Sequence, residues 1–339
     1  MQYRLLLAQQ DDDLLTMYAM DGDTGRLTVE QRYPVAGGPA PLALDPQGRW
    51  IAVGLRASPA LATVSLDGRG LLGDELSRVA VPTDACYVSI DKTGQNVLAA
   101  YYQAGTASVH RLDSQGRIAA EATQWLTVER HAHCLHTDRS NRFAFLPQTM
   151  PADRINQYRF DAQAGQLTPN LPALAPVAGG QGPRHYAYHP ALNRLYTSNE
   201  DGSSTSAYAL GEDGTLQLLG TWSTLPEGFA GRNTCAQIHL DPQGRWLFVS
   251  NRGHNSLAIF AVDPVSGMLT PQGHRPTEPT PRVFGVDPSG RFVYAAGLGS
   301  NRLAAYRLDG DTGSLQEIET YAVGRNPMWV LFIAVPEGC

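Results

Sequence analysis

The residues best suited to chemistry fall in a few short motifs. Gly182-Pro-Arg184-His185 is followed by Ser198-Asn-Glu200. Farther along stand Gln237-Ile-His239, Ser250-Asn-Arg252-Gly-His254 and Pro281-Arg282, and before them all comes Arg130-His131-Ala-His133. These are guanidinium and imidazole groups gathered about one carboxylate. Such a set suits an anionic substrate whose carbonyl must be polarised. Glu200 or His133 could then activate water, and the other could protonate a leaving oxygen. Structural duties compete for the same residues. A lone arginine at a loop end more often makes an ion pair than a reaction. His136 and His239 read as packing histidines. Alternation would put His131 and His133 on one strand face, but no further ligand set accompanies them, so no metal and no cofactor is expected.

The elements that must position these motifs follow from a repeat. One unit reads apolar strand, Asp-Pro-x-Gly-Arg turn, apolar strand, polar loop, and a third strand ending in Asp; a weaker strand follows. The turns are Asp45-Pro-Gln-Gly-Arg49, Asp241-Pro-Gln-Gly-Arg245 and Asp287-Pro-Ser-Gly-Arg291. Degenerate copies are Asp91-Lys-Thr-Gly-Gln95, Asp138-Arg-Ser-Asn-Arg142 and His189-Pro-Ala-Leu-Asn193. Turn residues 45, 91, 138, 189, 241 and 287 are spaced by 46, 47, 51, 52 and 46. A period in the forties built of short, alternating strands indicates a β-propeller. Asp caps each turn, Pro presets φ, and Gly or Asn accepts positive φ. The aspartates and their paired arginines, Arg49, Arg245 and Arg291, are therefore structural.

Six turns imply six units, and the chain ends supply a seventh. Arg4–Asp21 reads like Phe292–Asp309, and Asp21-Gly-Asp-Thr-Gly25 recurs as Asp309-Gly-Asp-Thr-Gly313. The N-terminus thus supplies the second to fourth strands of a blade whose first strand is Met328–Ile333. The expectation is an all-β, seven-bladed propeller closed by its own termini, forming one domain over 1–339. Asp11–Asp13 reads as a solvated loop.

Antiparallel strands sort the residues without coordinates. Five positions before each turn residue stand Ala40, Cys86, His133, Arg184, Ala236 and Arg282; eleven positions after it stand Arg56, Tyr102, Thr149, Glu200, Arg252 and Leu298. Both sets belong at the mouth opposite the turns, where loops of several blades converge.

The chain has 339 residues, 42% hydrophobic and 17% charged, with a net charge of −6 and a pI near 5.8. No stretch concentrates Lys and Arg, so nucleic acid is not an expected partner. No window reaches membrane-spanning length, and the N-terminal apolar run is short for a signal peptide. Cys86, Cys134, Cys235 and Cys339 form no CxxC pair, which with the missing export signal suggests a cytoplasmic protein.

The motifs at 182–200 and 237–291, with Tyr321-Ala-Val-Gly-Arg-Asn-Pro-Met-Trp-Val330, resemble the propeller lactonase family. That family includes bacterial 6-phosphogluconolactonases and fungal carboxymuconate lactonizing enzymes, and the resemblance spans nearly the whole chain. It implies a lactone hydrolase of a sugar-acid lactone, with His133, Arg184, Glu200 and Arg282 catalytic. His185, Gln237, Arg252 and His254 would bind the anionic lactone, and Arg252, His254 and Arg325 are candidates for a phosphate subsite. A cycloisomerase acting on a muconate-type dicarboxylate, or a non-enzymatic binding scaffold, is the alternative. Tyr87, Tyr101, Gly54-Leu55 and Gln237 depart from common family residues at positions expected in the mouth. Arg184→Ala and Glu200→Ala are expected to fold normally and to lose most activity.

Overall fold

The computed structural model describes residues 2–335, so Cys339 lies outside the described residues. Among the described residues, twenty-eight strands form seven four-stranded antiparallel sheets arranged as a propeller. In chain order, blades 1 to 6 have the inner strands Pro39–Leu44, Tyr87–Ile90, His136–Thr137, Pro183–Tyr188, Thr234–Leu240 and Pro281–Val286. The closing blade orders Pro327–Ala334, Tyr3–Gln9, Leu14–Met20 and Leu27–Pro34. Its first two strands pair from Tyr3↔Ala334 to Gln9↔Pro327. The expected closure by the termini is therefore present, and it removes two sheet edges.

Five of the six inner turns work through a buried acid. Asp287 Oδ1 accepts the Arg291 and Phe292 N–H groups at 2.8 and 2.7 Å, and Gly290 takes φ +74°. Asp45, Asp91, Asp138 and Asp241 do the same in their blades. In blade 4 the imidazole of His189 replaces the acid, its Nδ1 accepting from Ala191 and Leu192. Arg49 and Arg245 pair with their turn aspartates, but Arg291 does not. Its Nε donates to Ser289 and its Nη1 lies 4.0 Å from Asp23 of the closing blade. The reason is local: Asp287 Oδ1 is taken by two backbone donors and Oδ2 by Ser289.

Apolar packing lies between blades. Leu6, Leu15, Leu42 and Val53 join the closing blade to blade 1, and Phe145, Tyr186, Leu195 and Tyr208 join blades 3 and 4. The Asp11–Asp13 segment is not a free loop. Asp13 Oδ1 accepts the Gly37 and Gly38 N–H groups, and Asp12 pairs with Arg325 at 2.7 Å, tying the closing blade to its neighbour across the mouth. Arg325 spends its Nε on Asp12 while most of its side chain stays exposed.

Candidate active site

The inner strands are bulged where they reach the mouth. Pro183 pairs with Asn199 and His185 with Ser198, so Arg184 is an extra residue; Arg282 is extra between Pro281↔Gly297 and Val283↔Ala296. Similar shifts occur in blades 1 and 5 and in the closing blade. A bulge re-aims the added side chain, and this lets consecutive residues Arg184 and His185 line the same cavity. That cavity has Arg56, Cys86, Arg184, His185, Gln237, Arg282 and Trp329 in its wall.

Its electrostatics are unbalanced. Arg184, 2% exposed, places Nε 2.9 Å from Glu200 Oε2, and Arg252 Nη2 lies 2.9 Å from Glu200 Oε1. Arg252 also donates to the Cys235 carbonyl at 2.8 Å. The Arg184–Glu200 approach is short, yet the N–H is not aimed at the oxygen. Arg184 Nε and Nη1 and Glu200 Oε2 are buried without a hydrogen-bond partner among the described residues. Orphaned buried donors and acceptors call for a ligand or water. Arg56 pairs with Asp84 at 2.6 Å. Arg282 has no carboxylate within ion-pair reach among the described residues. Four guanidiniums thus face two carboxylates.

These charges set the protonation states. Burial pushes the Glu200 carboxyl up, but Arg184 and Arg252 outweigh it and hold the pKa below the ordinary value, so Glu200 is ionised. Burial first, then Arg184 and His185, keep His133 well below 6.5 and therefore neutral. Burial and the Arg184 charge do the same to His185. The two imidazoles meet at 3.2 Å, His185 Nε2 to His133 Nδ1. Burial and the neighbouring arginines also depress Arg282. A guanidinium keeps its charge at neutral pH all the same, so Arg282 stays a cation held at a cost set by burial first and by its arginine neighbours second.

Seven of the eight residues expected at the site gather here or in its wall: His133, His185, Arg184, Glu200, Gln237, Arg252 and Arg282. Gln237 Oε1 accepts the Phe284 N–H at 3.0 Å and so fixes blade 5 to blade 6. His254 is not brought in. Its Nδ1 meets Ser256 Oγ at 2.7 Å and its ring packs edge-on against Phe229 and His274, out on the blade. Position after the turn fixed its height in the ring but not its distance from the axis.

His131 and His133 diverge, because His131 takes φ +71° outside any strand. Its ring stacks on Tyr102, and Nδ1 meets the Met150 carbonyl. Tyr101 points into its own blade, its hydroxyl 2.9 Å from Ser108 and its ring near Trp125, so it is not a mouth residue. Gly54 has a packing reason, since a Cβ there would lie 2.6 Å from Pro41 Cγ. Tyr87 packs edge-on against His185 and Trp329 and forms part of the floor.

The sequence motifs do not point to Arg56 or Trp329, which also wall the cavity. Arg56 already stood in the position-eleven series, where its neighbours in that series gave the signal. Trp329 lies on the closing strand, which has no turn to count from.

Comparison with known proteins agrees with this architecture. The family model for the seven-bladed β-propeller lactonases matches residues 3–86 and 74–332. A 6-phosphogluconolactonase of Pectobacterium carotovorum subsp. carotovorum (strain PC1) is 33% identical over 336 residues, covering 99% of this chain and 100% of the relative. One from Yersinia pestis (strain Pestoides F) is 31% identical over 331 residues, covering 97% and 98%. Among solved structures, the periplasmic gluconolactonase PpgL of Pseudomonas aeruginosa superposes with a TM-score of 0.92. It is 26% identical and covers 99% of this chain and 100% of that one.

Proposed function

The chain belongs to the seven-bladed β-propeller lactonase family and is a lactonase, and from that premise we propose that it hydrolyses an anionic sugar-acid lactone, 6-phosphogluconolactone first among them. The observation that carries this reading is the excess of guanidinium charge around one carboxylate, with no carboxylate in ion-pair reach of Arg282 among the described residues. A phosphate or carboxylate on the substrate would supply the missing negative charge.

Glu200 Oε2, ionised and without a hydrogen-bond donor, is the base that takes a proton from water. The water oxygen bonds to the lactone carbonyl carbon. Arg184 and Arg282 receive the resulting oxyanion, as preorganised donors in a site with little water. When the intermediate collapses, the ring C–O bond breaks and the proton on Glu200 passes to the leaving oxygen. Neutral His133, held by His185, donates a hydrogen bond toward that oxygen. The two arginines that keep Glu200 ionised also limit its basicity, and the base is therefore available over the whole neutral range.

Hydrolysis of an unphosphorylated gluconolactone is the second reading, favoured by the likeness to the P. aeruginosa gluconolactonase. A panel of phosphorylated and unphosphorylated aldonolactones, followed by acid release, separates the two. Turnover preferring the phosphorylated lactone supports the first reading. A preference for the unphosphorylated lactone replaces it with the second, and no turnover of either overturns both.

A further inference from the structure

A second cavity occupies the ring axis at the turn end, opposite the candidate active site. It offers about 330 Å³ of room between the inner strands, at the small end of small-molecule sites. Leu42, Leu44, Val88, Ile90, Val286 and Phe332 give it an apolar wall. Its polar groups carry almost no charge. The Ser89 hydroxyl donates to the Leu135 carbonyl at 2.7 Å. Burial, with the Lys92 charge second, lowers His136 to about 3, and burial lowers His239 to about 4. Both imidazoles are neutral at physiological pH.

One charge remains. Lys92, the sole lysine of the chain, stands exposed at the rim of this cavity. The carboxylates whose charge reaches it, Asp138 and Asp91, aim their oxygens into turn caps and not at the ammonium. Asp91 accepts Gln95 and Asn96 N–H at Oδ1, and Thr93 and Asn141 at Oδ2. Asp138 accepts Arg142 and Phe143 N–H at Oδ1 and Ser140 at Oδ2. Among the described residues no carboxylate lies within ion-pair reach of the ammonium.

We propose that the axial cavity is a second binding site, for a small apolar molecule carrying one anionic group. Its apolar body lies between the inner strands and its anion meets Lys92. The cavity is too small for a polypeptide element and too apolar for a free sugar, whose hydroxyls would find few partners. The site backs directly onto the catalytic cavity. Trp329 walls both. Tyr87, in the axial wall, packs 5.2 Å from His185, and His239 Nε2 lies 3.3 Å from Gln237 Oε1.

Fluorescence titration of the full chain with 8-anilino-1-naphthalenesulfonate tests the proposal, with uncharged N-phenyl-1-naphthylamine as its partner probe. One saturable sulfonate site is expected, abolished by Leu44→Glu. Lys92→Gln lies on an exposed turn, removes the ammonium without adding a charge beside Asp91 and Asp138, and leaves melting nearly unchanged. It weakens the sulfonate roughly tenfold, the scale of one partly screened charge contact, and leaves the uncharged probe unaffected. No saturable site, or affinities indifferent to both substitutions, overturns the site. Equal affinity of the two probes in the unsubstituted chain overturns the anionic class.

Discussion

Replacing Arg282 with methionine should make the protein more stable and less active. The guanidinium is disfavoured first by burial and then by the charges of Arg184, Arg252 and Arg56, and is relieved by Glu200. A like charge about 6 Å away at an effective dielectric of 20 costs about 3 kcal/mol. Water in the cavity and relaxation of the long side chains reduce that, leaving a gain of about 1–2 kcal/mol when the charge is removed. Methionine keeps most of the aliphatic stem's packing. For a chain of this length the gain corresponds to a rise in Tm of about 1–3 °C. Loss of one preorganised donor to the oxyanion or substrate anion should cost about 3–4 kcal/mol of barrier, a hundredfold to a thousandfold fall in kcat/KM. Calorimetric melts and acid-release kinetics on the same preparation read both quantities. A variant that melts below the parent while keeping its kcat/KM would refute the reasoning, for Arg282 would then be a structural residue.

Glu200→Gln leaves two buried guanidiniums facing no carboxylate and should cost about 3 kcal/mol at pH 7. Because the folded pKa of Glu200 is depressed, its contribution is present above about pH 4.5 and is lost as pH falls through the folded value; urea melts of parent and variant should converge there. The same ion pair corrects the expectation for Arg184→Ala, which should lose stability by about 3–5 kcal/mol as well as activity. Rescue of folding but not of turnover in an Arg184→Met, Glu200→Gln double variant would separate the two effects. The acid limb of kcat/KM should fall below pH 6.5, since Glu200 and His133 are both lowered; a limb above 6.5 would remove both as the base. Asp287→Ala, at the far end, should lower stability by about 1–3 kcal/mol through its orphaned N–H groups and leave KM unchanged in the same kinetic assay.

The ring was legible because its period is carried by turn chemistry. A buried Asp, a Pro and a positive-φ Gly or Asn must recur wherever the inner hairpin turns, and residues 309–313 copy 21–25 closely enough to expose the closure. The height of each residue along the axis was equally legible, so His133, Arg184, Glu200 and Arg282 meet as expected. Radial direction was not. Counting in twos cannot see a bulge, and bulges turn Arg184 and Arg282 inward. Nor can it tell Arg252, which reaches Glu200, from His254, which packs on the outer blade. Long-range pairings such as Asp12–Arg325 join chain ends 313 residues apart, and no local pattern encodes them.

The central claim is that the mouth cluster is the hydrolytic site, and a crystal structure with bound 6-phosphogluconate, the hydrolysis product, tests it most directly. The account predicts one anionic group of the product on Arg282 and Arg184, with a carboxylate oxygen near Glu200. Product seated instead in the cleft at the turn end, against Arg139, Arg142 and Asn193, with the mouth cavity unchanged, would contradict it.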